Sequence, residues 1–295
     1  MLYYKKQRRQ GVVPIRKLWL IVAIAALLAA MIVWLIRENT ALTVTTVTVT
    51  DERLPSAFDG ARIAQISDLH NATFGKDNAR LLETLRDSNP DLIVLTGDLI
   101  DSRRTNIDVG ISFAARAAEI APTYYVTGNH EARIDTYDEL KSGLESAGVT
   151  VLENACASWE RGGESISIVG LHEPQFDPDW WMFGLLAVAN TDLQELMEQQ
   201  DGYTILLAHH PEWLDCYVEN GADLVFCGHA HGGQVRLPWV GGLYAPGQGL
   251  FPSYDAGLYR QGDTQMIVSR GLGNSLFPFR VGNRPEIVVA ELHMN

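Results

Sequence analysis

Two histidines one residue apart, His229 and His231, stand in the hexapeptide GHAHGG (228–233). Imidazoles bind metals or move protons near neutral pH. The glycines beside them permit a backbone that bends sharply. Such a pair says little unless other segments supply partners. DLH (68–70), GD (97–98), GNH (128–130) and AHHP (208–211) do so, adding Asp68, His70, Asp98, Asn129, His130 and His209. Carboxylate, imidazole and amide oxygen without thiolate suit Mn, Fe or Zn, and not a structural zinc site. Their number exceeds one coordination shell and fits two cations sharing a bridging carboxylate. Two cations about 3.5–4 Å apart clamp the attacking and leaving oxygens of an in-line displacement at phosphorus.

Each cluster follows an apolar run: RIAQIS (62–67), DLIVLT (91–96), TYYVT (123–127), YTILLA (203–208) and ADLVFC (222–227). Helical periodicity near 76–87, 107–120 and 135–147 separates or follows the first three, with further helices expected near 190–199 and 212–219. SISIVGL (165–171), TQMIVS (264–269) and EIVVAEL (286–292) also read as strands. This βαβαβα rhythm implies parallel strands with crossover helices, and ligands gather beyond the carboxyl ends of such strands. Taken singly, Asp68 and Asp98 serve as well as helix caps, Asn129 as a left-handed turn residue, and His209 and His210 as loop histidines. Five clusters at five strand ends favour a shared site, because turn chemistry would scatter them over both ends of the sheet. His229 and His231, in an extended loop, would both face that rim. One layered α/β domain with two sheets is expected over 61–295.

The set DLH, GDLID (97–101), GNHE (128–131), AHHP and GHAHGGQ (228–234) resembles the ordered motifs of the calcineurin-like metallophosphoesterases. The stretches 242–260 and 269–280 resemble its membrane-associated or exported bacterial subgroup. The resemblance runs from about residue 60 to the C-terminus and implies a four-layered α/β/β/α sandwich. It also implies ligand roles: Asp68, His70 and His231 for one metal, Asn129, His209 and His229 for the other, and Asp98 bridging both. His130 would be a non-ligand that protonates the leaving oxygen after attack by a metal-activated hydroxide. Arg270 and Arg280 are candidates for substrate phosphate, with surface ion pairing as the equal alternative.

Leu18 to Ile36 is a nineteen-residue run without a charge. As a helix it is roughly 28 Å long, close to a bilayer core of about 30 Å. Lys5, Lys6, Arg8, Arg9, Arg16 and Lys17 precede it and only Arg37 follows before Arg53. The positive-inside rule then gives a cytoplasmic tail over 1–17, one span over 18–36, a linker and first strand over 37–60, and a catalytic domain on the extracytoplasmic side. Alternation of Thr and Val over 41–50 marks that strand. A cleaved signal peptide is disfavoured, since its apolar core is usually about 7–15 residues.

The net charge of −13 conceals a division: residues 1–37 hold seven basic and no acidic side chains, leaving 16 basic against 36 acidic in the body. An acidic body excludes binding driven by phosphate neutralisation, so no nucleic-acid partner is expected. The three cysteines are far apart and form no metal-binding pattern. Trp180 to Phe183 and Leu276 to Phe279 are expected in core packing, with the membrane interface or a lipid substrate as the alternative.

These residues predict a phosphodiester or pyrophosphate hydrolase with two metals, acting on an envelope or lipid-linked phosphoester. A cytoplasmic-side UDP-sugar-lipid pyrophosphatase and a non-catalytic metal-holding scaffold remain open.

Overall fold

The computed structural model describes residues 15–275 and 277–295. Lys5, Lys6, Arg8, Arg9 and Leu276, named above, lie outside them. The chain divides into two compact units, Met1–Arg37 and Glu38–Asn295.

The first unit holds most of helix α1 (Ile15–Thr40), which is long and apolar enough to cross a membrane. Its side chains from Ile15 to Ile36 are largely exposed.

In the second unit, chain order is β1 (Thr43–Thr50), β2 (Arg62–Ile66), α2 (Ala79–Asp87), β3 (Leu92–Thr96), α3 (Ile107–Ala118), β4 (Thr123–Val126), α4 (Tyr137–Ser146) and β5 (Thr150–Val151). Then come β6 (Ala155–Arg161), β7 (Glu164–Gly170), α5 (Trp180–Phe183), α6 (Leu185–Met197), β8 (Thr204–Leu207), α7 (Leu214–Glu219) and β9 (Leu224–Cys227). Two short hairpins follow: β10 (Arg236–Leu237) with β11 (Gly241–Gly242), and β12 (Tyr244–Ala245) with β13 (Gly249–Leu250). The chain ends in β14 (Gly257–Gln261), β15 (Thr264–Val268) and β16 (Glu286–His293).

These strands make two six-stranded sheets, ordered β1-β16-β2-β3-β4-β5 and β14-β15-β9-β8-β7-β6. β2, β3, β4 and β5 run parallel, as do β7, β8, β9 and β15. Antiparallel pairs occur at β16–β2, β14–β15 and β6–β7. The central strands are buried on both faces and therefore read as continuous apolar runs.

Alternation along those strands builds three apolar layers. Ile63, Val94, Val126 and Val288 of the first sheet meet Ile168, Ile205, Phe226 and Ile267 of the second. Ala64, Ile93, Leu95 and Tyr125 face the other way, against Leu81 and Leu85 of α2, Phe113 of α3 and Leu140 of α4. Leu206, Val225 and Met266 face Leu193 of α6 and Tyr217 of α7. The result is the four-layered α/β/β/α sandwich.

Several local expectations differ from the structure. The segment expected as linker and first strand holds β1, paired with β16 from Thr43, and its linker part is tied down where Glu38 pairs with Arg284 at 2.9 Å. α6 begins five residues earlier than its pattern indicated, because Leu185 and Ala189 pack into the core and Val188 is buried. The sequence reading passed over β6, whose outward Cys156, Ser158 and Glu160 dilute its strand pattern. Trp181, Met182, Phe183, Phe277 and Phe279 are exposed, not core.

Candidate metal centre and its cavity

Five strands of the two sheets deliver the predicted donors from their carboxyl ends. Asp68 and His70 follow β2, Asp98 follows β3, Asn129 and His130 follow β4, His209 follows β8, and His229 and His231 follow β9. All eight are buried. Neither aspartate caps a helix: Asn78 and Asn106 hold the N-cap positions of α2 and α3. Asp68 instead accepts from the His229 backbone N–H (3.2 Å), and Asp98 Oδ1 from that of His130 (2.8 Å).

The side chains form two groups that share Asp98. Asp68, His70, Asp98 and His231 present donor atoms within 4.8 Å of one another, and so do Asp98, His209 and His229. His70 Nε2 and His209 Nε2 lie 3.5 and 3.4 Å from Asp98 Oδ2. His231 Nε2 lies 3.4 Å from Asp68 Oδ1 and 3.2 Å from His70 Nε2. His229 Nδ1 lies 3.2 Å from His209 Nε2. Asn129 lines the same cavity, and its buried Oδ1 has no hydrogen-bond partner among the described residues.

The backbone is bent to achieve this. Asp68, His70, Asp98, His229 and His231 all have φ between 45° and 65°. Left-handed residues other than glycine cost roughly 1–2 kcal/mol each, and such strain collects at functional sites. The expected extended loop over His229–His231 is thus a tight turn, with Ala230 right-handed between two left-handed histidines. The glycines admit the approach of loop to loop. A Cβ on Gly228 would lie 1.9 Å from Ser67 Oγ and 2.6 Å from Asp68 Oδ2, and one on Gly128 would lie 2.4 Å from Asp98 Oδ1.

The electrostatics favour bound cations. Burial drives His70 down to about 3 and holds His229 and His231 well below their usual range, so these imidazoles keep free lone pairs. Burial also pushes Asp68 up to about 6. His209 is the exception: burial lowers it, but the Asp98 and Asp68 carboxylates outweigh that and carry it to about 10. Its Nδ1–H donates to the Thr96 carbonyl at 2.8 Å, so the extra proton sits on Nε2 beside Asp98. That proton marks where the carboxylates call for positive charge, and metal binding releases such protons. The donor types, the facing nitrogens and the unpartnered amide oxygen of Asn129 fit a pair of metal ions.

His210 has other work. Its Nε2 meets Glu173 at 2.8 Å and its Nδ1 meets Glu212 at 3.1 Å. Burial opposes the charge, yet Glu173 and Glu212 raise it to about 9. His210 thus faces two glutamates, whereas His209 Nε2 faces Asp98, so His209 is the member of the pair that joins the shared donor group.

The Ser102 backbone N–H donates to His130 Nδ1 at 3.0 Å, so the neutral ring carries its proton on Nε2. Asp101 Oδ1 lies 3.6 Å from the same Nδ1. Burial lowers this histidine, while Asp98 and Asp101 pull it up.

Asp98, Asn129, His130, His229 and His231 border a cavity of about 690 Å³. Arg103, Arg133 and Gln175 stand on its wall. Arg270 and Arg280 do not, which corrects the phosphate-binding expectation. Arg270 is ion-paired with buried Glu286. Arg280 is fully buried and donates to the carbonyls of Arg270 (2.9 Å) and Gly273 and to Asn274 Oδ1 (3.1 Å). It braces a loop whose Gly271 packs against Asp68.

Glu131, the last residue of GNHE, has a role that its sequence position alone did not suggest. Its buried carboxylate accepts the backbone N–H groups of Asp98 (2.9 Å), Leu99 (2.8 Å), Ile100 (3.2 Å) and Gly128 (2.7 Å). Two ligand-bearing loops are thereby tied to one side chain. Burial and the Asp98 charge push its carboxyl up to about 8, against the pull of those N–H groups. Charged residues within or just beyond the donor motifs are the signal that would have flagged Glu131, Asp101 and Arg103.

The chain is similar to known proteins in sequence and in fold. The sequence profile of the calcineurin-like phosphoesterases matches residues 61–233. The chain is 30% identical to the Bacillus subtilis uncharacterized metallophosphoesterase YkuE, over 83% of each chain. It is 32% identical to the Escherichia coli phosphodiesterase YaeI, over 70% of this chain and 72% of that one. Among solved structures, the TT1561 protein of Thermus thermophilus superposes with a TM-score of 0.50 at 17% identity, over 72% of this chain and 90% of that one. That last likeness concerns the fold alone.

Proposed function

The chain belongs to the calcineurin-like phosphoesterase family and is a metal-dependent phosphoester hydrolase; from that premise we propose that it cleaves phosphodiester or pyrophosphate bonds in an envelope or lipid-linked substrate. The observation that carries this reading is the sharing of Asp98 by two donor groups at the floor of a cavity with two arginines on its wall. Asp68, His70 and His231 would hold one ion and Asn129, His209 and His229 the other, with Asp98 available to both. When bound, such ions activate water and neutralise charge on the phosphoryl oxygens.

The protein's own residues do the rest. Arg103 and Arg133 hold the non-bridging phosphate oxygens by charge-assisted hydrogen bonds. His130 presents Nε2–H to the leaving oxygen. To give up a full proton it must carry a second one on Nδ1, and Asp101 then replaces the Ser102 amide as its partner. Glu131 keeps the loops of Asp98 and Asn129 in register.

The apolar run of α1, preceded by Arg16 and Lys17 in the first turn of the helix, supports a membrane anchor with the catalytic body on the extracytoplasmic side. The decisive experiment is a panel of aryl, nucleotide and lipid phosphodiesters offered to the full chain reloaded with Mn, Fe or Zn. Hydrolysis that vanishes on chelation and returns with metal is expected. No turnover with any metal on any ester would revive the scaffold alternative.

A further inference from the structure

Exposed large apolar side chains are not scattered over the second unit. Among its described residues, fourteen stand out, and twelve of them fall in three segments. The first is Trp181, Met182, Phe183 and Leu186 at the start of α5 and α6; the second is the paired hairpins, with Leu237, Trp239, Val240, Tyr244, Leu250 and Phe251; the third is Phe277 and Phe279. Val44 and Met294 are the two outside them. The same three segments furnish the outer wall of the cavity, through Leu185, Pro246 with Gly247, and Ser275. Exposed apolar side chains gathered beside one cavity mark contact with another body, and Trp and Tyr favour the membrane–water interface.

The chain itself says which body. Between Ile36, the last residue of the apolar run, and Thr43, where β1 begins, lie only six residues. The first of them within the second unit are fastened to the loop that precedes β16. Asn39 Oδ1 accepts from Asn274 Nδ2 and from the Arg280 backbone N–H, both at 3.0 Å. These bonds bracket the loop that carries Ser275, Phe277 and Phe279. A chain that leaves a bilayer after Ile36 thus enters the body within a few residues, beside the loop that carries Ser275, which lines the cavity. The body is acidic, so apolar contact, not attraction to anionic lipid, must hold it there.

We propose that these three segments form an apolar collar seated in the lipid–water interface of the bilayer that anchors the chain. The cavity then opens at the lipid surface and receives an amphiphilic phosphoester from it, acyl chains against the collar and phosphate toward Arg103 and Arg133. The choice of substrate rests on the phosphoesterase reading; the seating of the collar does not.

The test uses the full chain in phosphatidylcholine nanodiscs and separates the two. A nitroxide is placed by Trp239→Cys, in a Cys156→Ser background, and its exposure to oxygen and to a water-soluble nickel chelate is compared with that of an Asp201→Cys label. Asp201 is exposed and precedes β8, at the strand end away from the ligands. A Trp239 label shielded from nickel and open to oxygen is expected; one as accessible to nickel as the Asp201 label overturns the collar. In the same discs, Trp181→Ser, Trp239→Ser and Phe277→Ser combined should slow cleavage of a dioleoyl phosphatidyl p-nitrophenyl diester at least tenfold. Cleavage of soluble bis(p-nitrophenyl) phosphate should stay within twofold. Equal losses, or none, overturn the substrate route. If the wild-type chain cleaves neither ester, the phosphoesterase reading fails, and the nitroxide still decides the collar.

Discussion

His70 and His231 bring their Nε2 atoms within 3.2 Å of each other in a fully buried setting. Both rings are neutral, and a shared proton satisfies one nitrogen at the expense of the other. A cation bound by both lone pairs removes that conflict. Stripping metal from the protein in detergent should therefore lower its melting temperature, and Mn should restore it. At a hundredfold excess over Kd the expected stabilisation is about 2.7 kcal/mol, several degrees for a chain of this size. Coincident melting curves with and without metal would count against a metal centre.

Asp98 and His130 should separate binding from chemistry. Asp98 stands in both donor groups, so Asp98→Ala should lose bound metal and turnover together. His130→Ala should keep its metal and lose roughly 10²–10⁴-fold in kcat on a phosphodiester. Metal analysis beside steady-state rates checks both, and wild-type turnover by His130→Ala would remove that residue from the reaction.

The pH profile should report Asp101. Burial depresses His130 and the Asp101 carboxylate raises it. An acid must be protonated to act, so kcat falls as pH rises through the His130 pKa. Asp101→Asn lowers that pKa and should move the alkaline fall in kcat to lower pH, with metal content unchanged. An unmoved limb would show that Asp101 serves only its contacts with Arg103 and Arg104.

Glu131 predicts a structural loss that reaches the metals. Glu131→Ala leaves four backbone N–H groups without their acceptor. At about 1–3 kcal/mol for each buried unpaired group, relieved in part by water, a loss of roughly 3–5 kcal/mol is expected. Weaker metal affinity should accompany it, because the Asp98 and Asn129 loops lose their common tether. Denaturant midpoints and metal titration measure the two effects.

The cavity arginines should act on binding. Arg133→Ala should raise KM for a phosphodiester several-fold and change kcat less, since a phosphate contact made equally in ground and transition states is uniform binding. Arg280→Lys should instead reduce folding stability, because its partners are backbone carbonyls and Asn274 inside the protein. An unchanged KM for Arg133→Ala would leave the phosphate to other groups.

What the sequence disclosed follows from what residue type alone can specify. Asp68, Asp98 and His209 were legible because buried donors at successive strand ends have few other reasons to be there. The layered α/β class was legible because LIVLT and LVFC are apolar without alternation, as strands covered on both faces must be. Arg280 was misplaced because a guanidinium reads as a surface or phosphate group until the carbonyls that enclose it are seen. The turn at His229–His231 was missed because left-handed backbone at non-glycine residues has no propensity signal; loop crowding imposes it. Trp181 was expected inside because hydrophobicity does not say which apolar side chains a protein leaves uncovered.

The place of β16 sets when this protein can become whole. It lies between β1 and β2, parallel to the first and antiparallel to the second. Until residues 286–293 leave the ribosome, the inner edges of both strands lack their partner and the sheet carries a gap one strand wide. The metal loops after β2 and β3 are synthesised long before that gap closes. Folding of the catalytic unit is thus a late event, driven by its C-terminal strand, and an arrested nascent chain lacking those eight residues would display two unpaired strand edges to chaperones and proteases.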